Sequence, residues 1–298
     1  MDSRHFAGDM LVSVDQLAEQ LSQKAAEGSM VIVDCRFDLL KPQAGRRSYE
    51  RGHIPGARYA DLDRDLAGPV TAESGRHPLP DPEHFAALLG SWGVGPETSV
   101  VAYDASGGAV AARLWWLLRW VGHTKVALLD GGFGAWADDK LPLETEPPAA
   151  RAGRYPVRPG SMPVVSIHDV LAGTEDGSLA LVDARDRKRF NGEIEPIDTR
   201  AGHIPGSLNR PFQANLDALG NFRASADLLE SFALLPVSDN QRVACMCGSG
   251  VTACHNIFAL ELAGAQLGST ATPALYTGSW SEWIRSDVRP IATCVPTD

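Results

Sequence analysis

The run Ala244-Cys245-Met246-Cys247-Gly248-Ser249-Gly250-Val251-Thr252-Ala253 sets a thiol between an apolar, strand-like stretch and two glycines that open a helix. Residues 241–244 read as the end of a buried strand, and residues 251–263 carry apolar side chains at helical spacing. Gly248 and Gly250 let the intervening loop curl until successive backbone N–H groups point at one atom, and a helix N-terminus adds partial positive charge there. Both effects favour a thiolate over a thiol, which makes Cys247 a candidate nucleophile. A lone cysteine is more often a small buried hydrophobe, and the glycine-flanked loop is what argues otherwise. Cys245 falls two residues earlier on the strand and points to the same side, as a core residue or a redox partner. Cys254 and His255 lie one turn into the helix; together with Cys245 and Cys247 they make a spacing unlike the usual zinc patterns, so no metal is expected. Ser249 reads locally as a helix cap.

The elements that must position this loop come from a duplication. Asp34-Cys35-Arg36 returns as Asp183-Ala184-Arg185, and Gly52-His53-Ile54-Pro55-Gly56 returns as Gly202-His203-Ile204-Pro205-Gly206. Near each end, Asp130-Gly131-Gly132-Phe133-Gly134-Ala135-Trp136 parallels the run from Tyr276 to Trp283. Three markers in one order at nearly one offset mean one unit used twice. In that alignment Asp104 stands where Cys247 stands, and an aspartate cannot act as a thiol nucleophile. Short apolar runs at 30–33, 99–102 and 179–182 alternate with helical patterns at 14–26, 83–92 and 109–121. Such alternation predicts an α/β fold, each half a mostly parallel sheet flanked by helices, with ligands bound beyond the carboxyl ends of the strands. A proline-rich stretch marks a linker over 146–164, leaving an N-terminal domain over 1–145 and a C-terminal catalytic domain over 165–298. The histidines of the two Gly-His-Ile-Pro-Gly turns occur in both halves and therefore read as structural. Trp115, Trp116 and Trp120 fall on helix faces and read as core.

Cys-Gly-Ser-Gly-Val-Thr in this setting resembles the active-site loop of the two-domain sulfurtransferases of the rhodanese superfamily, and most of all the 3-mercaptopyruvate branch. The thiosulfate-using branch usually carries basic residues where this chain has Gly248 and Ser249. The resemblance implies a silent first half that contributes interface and substrate contacts, and a Ser–His–Asp relay built from Ser249, His77 and Asp63. It assigns Arg189, in Lys188-Arg189-Phe190-Asn191-Gly192, to the substrate carboxylate or the thiosulfate anion. The loop residues Gly248, Gly250, Val251 and Thr252 complete the implied binding set. A second substrate arginine usually follows Glu-Pro in this branch, but Glu195-Pro196 is followed here by Ile197, and Arg200 is the nearby candidate to reach the pocket instead. The implied reaction moves sulfur through a Cys247 persulfide to a thiol, such as that of a thioredoxin-like protein, or to cyanide, and needs no cofactor.

Composition narrows the alternatives. The chain has 298 residues, 44% of them apolar and 21% charged, with a net charge of −10 that argues against a general nucleic-acid surface. No apolar stretch approaches the roughly 18 residues of a membrane helix. Nor does the beginning of the sequence read as a signal peptide. Five cysteines, an odd number over a long chain, fit reduced thiols, and a cytoplasmic location is the expectation. A Cys-x5-Arg phosphatase would need arginine at the position of Ala253. A non-enzymatic sulfur carrier would load sulfur on Cys247 without turning over.

Overall fold

The duplication takes the form of two five-stranded parallel sheets. The computed structural model describes residues 10–23, 29–151, 153–158, 160, 162–264, 266–269 and 272–294. In the first half β1 (Leu11–Val12), β2 (Met30–Asp34), β3 (Arg58–Tyr59), β4 (Ser99–Tyr103) and β5 (Val126–Leu129) lie in the order β1-β5-β4-β2-β3. In the second, β6 (Val164–Val165), β7 (Leu179–Asp183), β8 (Leu208–Asn209), β9 (Arg242–Met246) and β10 (Ala274–Tyr276) lie in the order β6-β10-β9-β7-β8. The two orders are the same, position for position. All the strand pairings are parallel, with Asp34 opposite Tyr103 in one sheet and Asp183 opposite Met246 in the other. The central strands read as unbroken apolar runs because parallel sheets are covered on both faces.

Helices supply the cover: α1 (Val14–Ser22), α2 (Gln43–Arg51), α3 (Pro82–Trp92), α4 (Ala111–Trp120) and α5 (Gly132–Asp138) in the first half, α6 (Ile167–Glu175), α7 (Arg187–Asn191), α8 (Ser225–Ala233), α9 (Thr252–Leu262) and α10 (Ser279–Trp283) in the second. Ser13 with Gln16 and Ser166 with Asp169 form reciprocal capping boxes at corresponding helix starts. The helical pattern at 14–26 ends at Ser22, and residues 24–28 lie outside the described residues. The helices that follow the two key loops, α4 and α9, are buried on nearly every side, as Trp115, Trp116, Ile257 and Phe258 attest. Trp120 is half-buried and stacks on Trp116. One core gathers Leu17, Ile32, Val101, Tyr103 and Trp136; the other gathers Leu181, Met246, Tyr276, Trp280 and Trp283. Each large apolar side chain so buried contributes about 2 kcal/mol.

The repeated polar motifs hold the strand ends. Arg36 pairs with Asp34 at 2.6 Å and donates to the Gly52 carbonyl at 2.7 Å; Arg185 pairs with Asp183 at 2.7 Å and donates to the Gly202 carbonyl at 2.8 Å. Burial pushes the Asp34 carboxyl up and Arg36 opposes it. His53 Nδ1 lies 2.9 Å from the Tyr49 carbonyl and His203 Nδ1 lies 2.8 Å from that of Phe190, each ring stacked on the same aromatic residue. Each imidazole thus ties its turn to the backbone of the preceding helix, α2 in one half and α7 in the other.

The compact units differ from a simple cut at the proline-rich stretch. The first comprises the described residues up to Gly68, those of 80–160, and 218–222; the second comprises 69–79, 162–217 and the described residues from 223 onward. Residues 148–151 group with the first because Arg58 donates to the Ala149 carbonyl at 2.7 Å and Arg151 N–H to that of Ser91 at 3.0 Å. Residues 69–79 group with the second because Arg76 N–H donates to Ser281 Oγ at 2.9 Å and Arg285 Nε to the Ser74 carbonyl at 2.5 Å. Gly75 permits that approach, since a Cβ there would meet the Gly278 carbonyl oxygen at 2.3 Å. These bonds join residues some two hundred positions apart, which no local pattern reveals.

Candidate active site

Cys247 is the first residue past β9, and the loop of five residues between β9 and α9 wraps its sulfur. Sγ accepts the N–H groups of Ser249 at 3.4 Å and Gly250 at 3.1 Å. Gly250 has φ +80°, and a Cβ there would stand 2.7 Å from the Thr277 carbonyl oxygen, so this turn requires glycine. Cys247 is 2% exposed, and in such surroundings oriented N–H dipoles act on negative charge far more strongly than in water. The start of α10 fixes the loop from behind. Trp280 N–H donates to the Cys247 carbonyl at 3.0 Å, Ser281 N–H to that of Gly248 at 2.9 Å, and Cys247 N–H to Ser279 Oγ at 3.1 Å. Ser279 adopts φ +52°, a left-handed conformation that costs a non-glycine residue about 1 kcal/mol. Its hydroxyl donates to the Tyr276 carbonyl at 2.8 Å while accepting from Cys247. The serine is therefore strained where its side chain holds the nucleophile's own backbone, a role the sequence did not disclose.

Ser249 does not cap α9. The helix begins at Thr252 with no side-chain cap, and the Ser249 hydroxyl lies 2.7 Å from His77 Nδ1, with both residues buried. The segment 69–79 delivers His77 through the Arg76–Ser281 bond, which explains how a loop histidine beside proline becomes a site residue. Val251 is buried at the cap of α9, and Thr252 opens the helix half-buried. Asp63 belongs to the first unit, where it is exposed in a turn and its N–H donates to Asp61 Oδ1 at 3.0 Å.

Two guanidinium groups flank Gly248. A methyl group built on that residue would come within 3.2 Å of Arg76 Nη2 and within 3.6 and 3.7 Å of Arg189 Nη2 and Nη1. Arg189, in α7, donates to Glu195 Oε1 through Nε at 3.1 Å and Nη2 at 2.8 Å, and from Nη2 to Asp198 Oδ2 at 3.0 Å. Arg76 Nη1 meets the other oxygen of Asp198 at 2.5 Å. Glu195 also accepts the N–H groups of Ile197 at 3.1 Å and Asp198 at 3.0 Å, so Ile197 contributes backbone where the resemblance expects an arginine. Arg200 Nη1 lies 3.5 Å from both the Ser286 carbonyl and Asp287 Oδ1, so its observed partners are these two residues and not the loop. The second arginine beside the loop is Arg76; the only signal for it was its position next to His77.

The other thiols have different surroundings. Cys245 is fully buried in β9, and burial, reinforced by Cys254, pushes its thiol from about 9 up to about 12. Cys254 Sγ faces the Gly250 carbonyl at 3.3 Å, and His255 Nδ1 lies 3.0 Å from Asn215 Nδ2. Among the described residues no group of three His, Cys, Asp or Glu is placed to hold a metal, and no helix is long and apolar enough to cross a membrane.

Comparison with known proteins finds relatives over both halves of the chain. The family profile described as a rhodanese-like domain matches residues 17–139 and again 166–286. A probable 3-mercaptopyruvate sulfurtransferase of Pseudomonas aeruginosa is 46% identical over 93% of this chain and 96% of its own length. A putative thiosulfate sulfurtransferase of Mycobacterium tuberculosis is 33% identical over 95% of this chain and 97% of its own. The crystal structure of SseA from Escherichia coli, described as a 3-mercaptopyruvate sulfotransferase, superposes with a TM-score of 0.76 at 32% identity, covering 91% of this chain and 99% of that one. The chain belongs to the rhodanese family, as a two-domain sulfurtransferase.

Proposed function

We propose that the protein transfers sulfur from 3-mercaptopyruvate through a persulfide on Cys247. The observation that carries this reading is one sulfur atom that accepts two loop N–H groups, next to a serine bonded to a histidine and a glycine flanked by two arginines. The Cys247 thiolate attacks the donor's sulfur, the bond from that sulfur to carbon breaks, and its electron pair leaves on carbon as the enolate of pyruvate. A proton reaches the enolate through the Ser249–His77 pair, giving pyruvate. The persulfide then occupies the same cradle, since the thiolate and the persulfide both present negative sulfur to the N–H groups. An acceptor thiolate or cyanide attacks the outer sulfur, and the electrons of the broken S–S bond return to Cys247. No step calls for a cofactor. Asp63 enters as the third member of the relay on the family resemblance alone.

A second donor, thiosulfate, is favoured by the relatives that carry that name, the Mycobacterium tuberculosis protein among them. The uncharged Gly248-Ser249 pair argues for mercaptopyruvate, because a dianionic donor gains more from a basic loop. Measuring kcat/KM for both donors with cyanide as acceptor tests the choice: mercaptopyruvate exceeds thiosulfate by at least about tenfold, and the reverse order would replace this reading with the second. The acceptor in the cell is a thiol, with a thioredoxin-like protein as the first candidate. The cysteine usage supports a cytoplasmic site of action.

A further inference from the structure

We infer that Arg76 is the second arm of the clamp that holds the donor's carboxylate, in place of the arginine absent at Ile197. The inference rests on mercaptopyruvate being the donor. That molecule's carboxylate is only a few bonds from its sulfur, so the cations that grip it must lie beside the loop that receives the sulfur. Arg189 and Arg76 lie there, their Nη atoms converging on the space over Gly248. Arg189 alone is a poor fork, because its Nε and Nη2 edge is committed to Glu195 and Asp198. A carboxylate has two oxygens to satisfy, and the second set of donors comes from Arg76.

Three further features fit this role. Asp198 joins the two arginines, one carboxylate oxygen to each, which sets their spacing before any donor arrives. The Nε of Arg76 is buried without a hydrogen-bond partner, so the guanidinium is not held for the sake of its own satisfaction. Gly248 leaves open the space that a side chain would take from the ligand. Glu195 and Asp198 already offset the charges of Arg76 and Arg189, with Arg185 3.6 Å from Glu195 as well, so the single charge of a monocarboxylate is accommodated at less cost than the two charges of thiosulfate.

Steady-state kinetics of Arg76→Ala, Arg76→Lys, Arg189→Ala and Gly248→Ala, each checked for native melting, test the clamp. Arg76→Ala should raise KM for 3-mercaptopyruvate about 30-fold, the loss of one charge-assisted pair, with a smaller change in kcat. Inhibition by the product pyruvate should weaken by a similar factor, KM for cyanide should stay constant, and Arg76→Lys should recover part of the loss. Gly248→Ala, which keeps both guanidinium groups but puts a methyl 3.2 Å from Arg76 Nη2 in the space assigned to the carboxylate, should raise the same KM. If Arg189→Ala raises KM for mercaptopyruvate and Arg76→Ala does not, the clamp is wrong while the donor assignment stands. If neither variant affects it, the donor assignment has failed as well. A fall in kcat at constant KM in Arg76→Ala would reassign the residue to positioning His77 and overturn the inference.

Discussion

The loop after β4 and the loop after β9 are the same turn put to opposite uses. In the second half Cys247 presents its sulfur to the N–H groups of Ser249 and Gly250. In the first half Asp104 fills the equivalent cradle with its own carboxylate, which accepts the N–H groups of Ser106 at 2.7 Å, Gly108 at 2.9 Å, Val110 at 2.7 Å and Ala111 at 2.9 Å. The backbone that one half offers to a reacting atom is consumed in the other by a permanent anion. The loops differ in length accordingly: α9 starts five residues after Cys247, whereas α4 starts seven after Asp104. Behind each loop the anchor is also shared, with Phe133 N–H on the Asp104 carbonyl at 2.8 Å and Trp280 N–H on that of Cys247 at 3.0 Å. At the residue before each, glycine stands at φ +56° in the silent half and serine at φ +52° in the reactive one. The lesson is that an anion cradle is inherited with the fold, and only the atom placed in it decides between scaffold and catalyst.

Exchanging those atoms gives the largest expected effect. Cys247→Ser should lower sulfur transfer by at least about 10³-fold in the donor–cyanide assay, and Asp104→Cys in that background should restore none of it, because the His77–Ser249 pair and the Arg76 and Arg189 guanidinium groups stand beside the second-half loop. Recovery of turnover in the double variant would show that the cradle suffices. Asp104→Ala should leave kcat near the parental value but lower stability by about 3 kcal/mol in denaturant titration, since four N–H groups, those of Val110 and Ala111 buried, lose their acceptor. Gly250→Ala joins the two effects: the methyl meets the Thr277 carbonyl and the φ is unfavourable, so kcat/KM falls about 100-fold and melting drops with it.

Smaller changes sharpen the comparison. Ser279→Gly copies the first half's glycine, relieving strain while deleting the bond to Cys247 N–H, so stability should change by less than about 1 kcal/mol while kcat falls several-fold. The smallest signal concerns Cys245. Its folded thiol is raised to about 12, so the unfolded chain releases that proton first as pH rises past about 9. Its contribution to stability is intact below that pH and lost as pH climbs toward about 12; alkylation of the folded protein at pH 8 should therefore spare Cys245, as peptide mass mapping would read.

Much of the fold was legible because it is written twice. Alternating apolar runs gave the parallel sheets, and the paired Asp-x-Arg and Gly-His-Ile-Pro-Gly motifs gave the repeat, since each side chain in them serves backbone nearby. The loop around Cys247 was legible for the same reason: glycine spacing is a local constraint. What the sequence hid were the long-range bonds. The contact of residues 69–79 with the Gly278–Ser281 turn brings in Arg76, and nothing at position 76 distinguishes it from a solvated arginine. Arg200 shows the same limit, because closeness in sequence to Ile197 says nothing about the partners of a long side chain, here Ser286 and Asp287.

The most direct test is the intact mass of the protein after one equivalent of 3-mercaptopyruvate, without acceptor, followed by peptide mapping. A gain of one sulfur atom on the Cys247 peptide with one pyruvate released, then lost to cyanide as thiocyanate, is the predicted result. Turnover of the donor with Cys247 never carrying the extra sulfur, or with the sulfur on Cys245 or Cys254 instead, would contradict it.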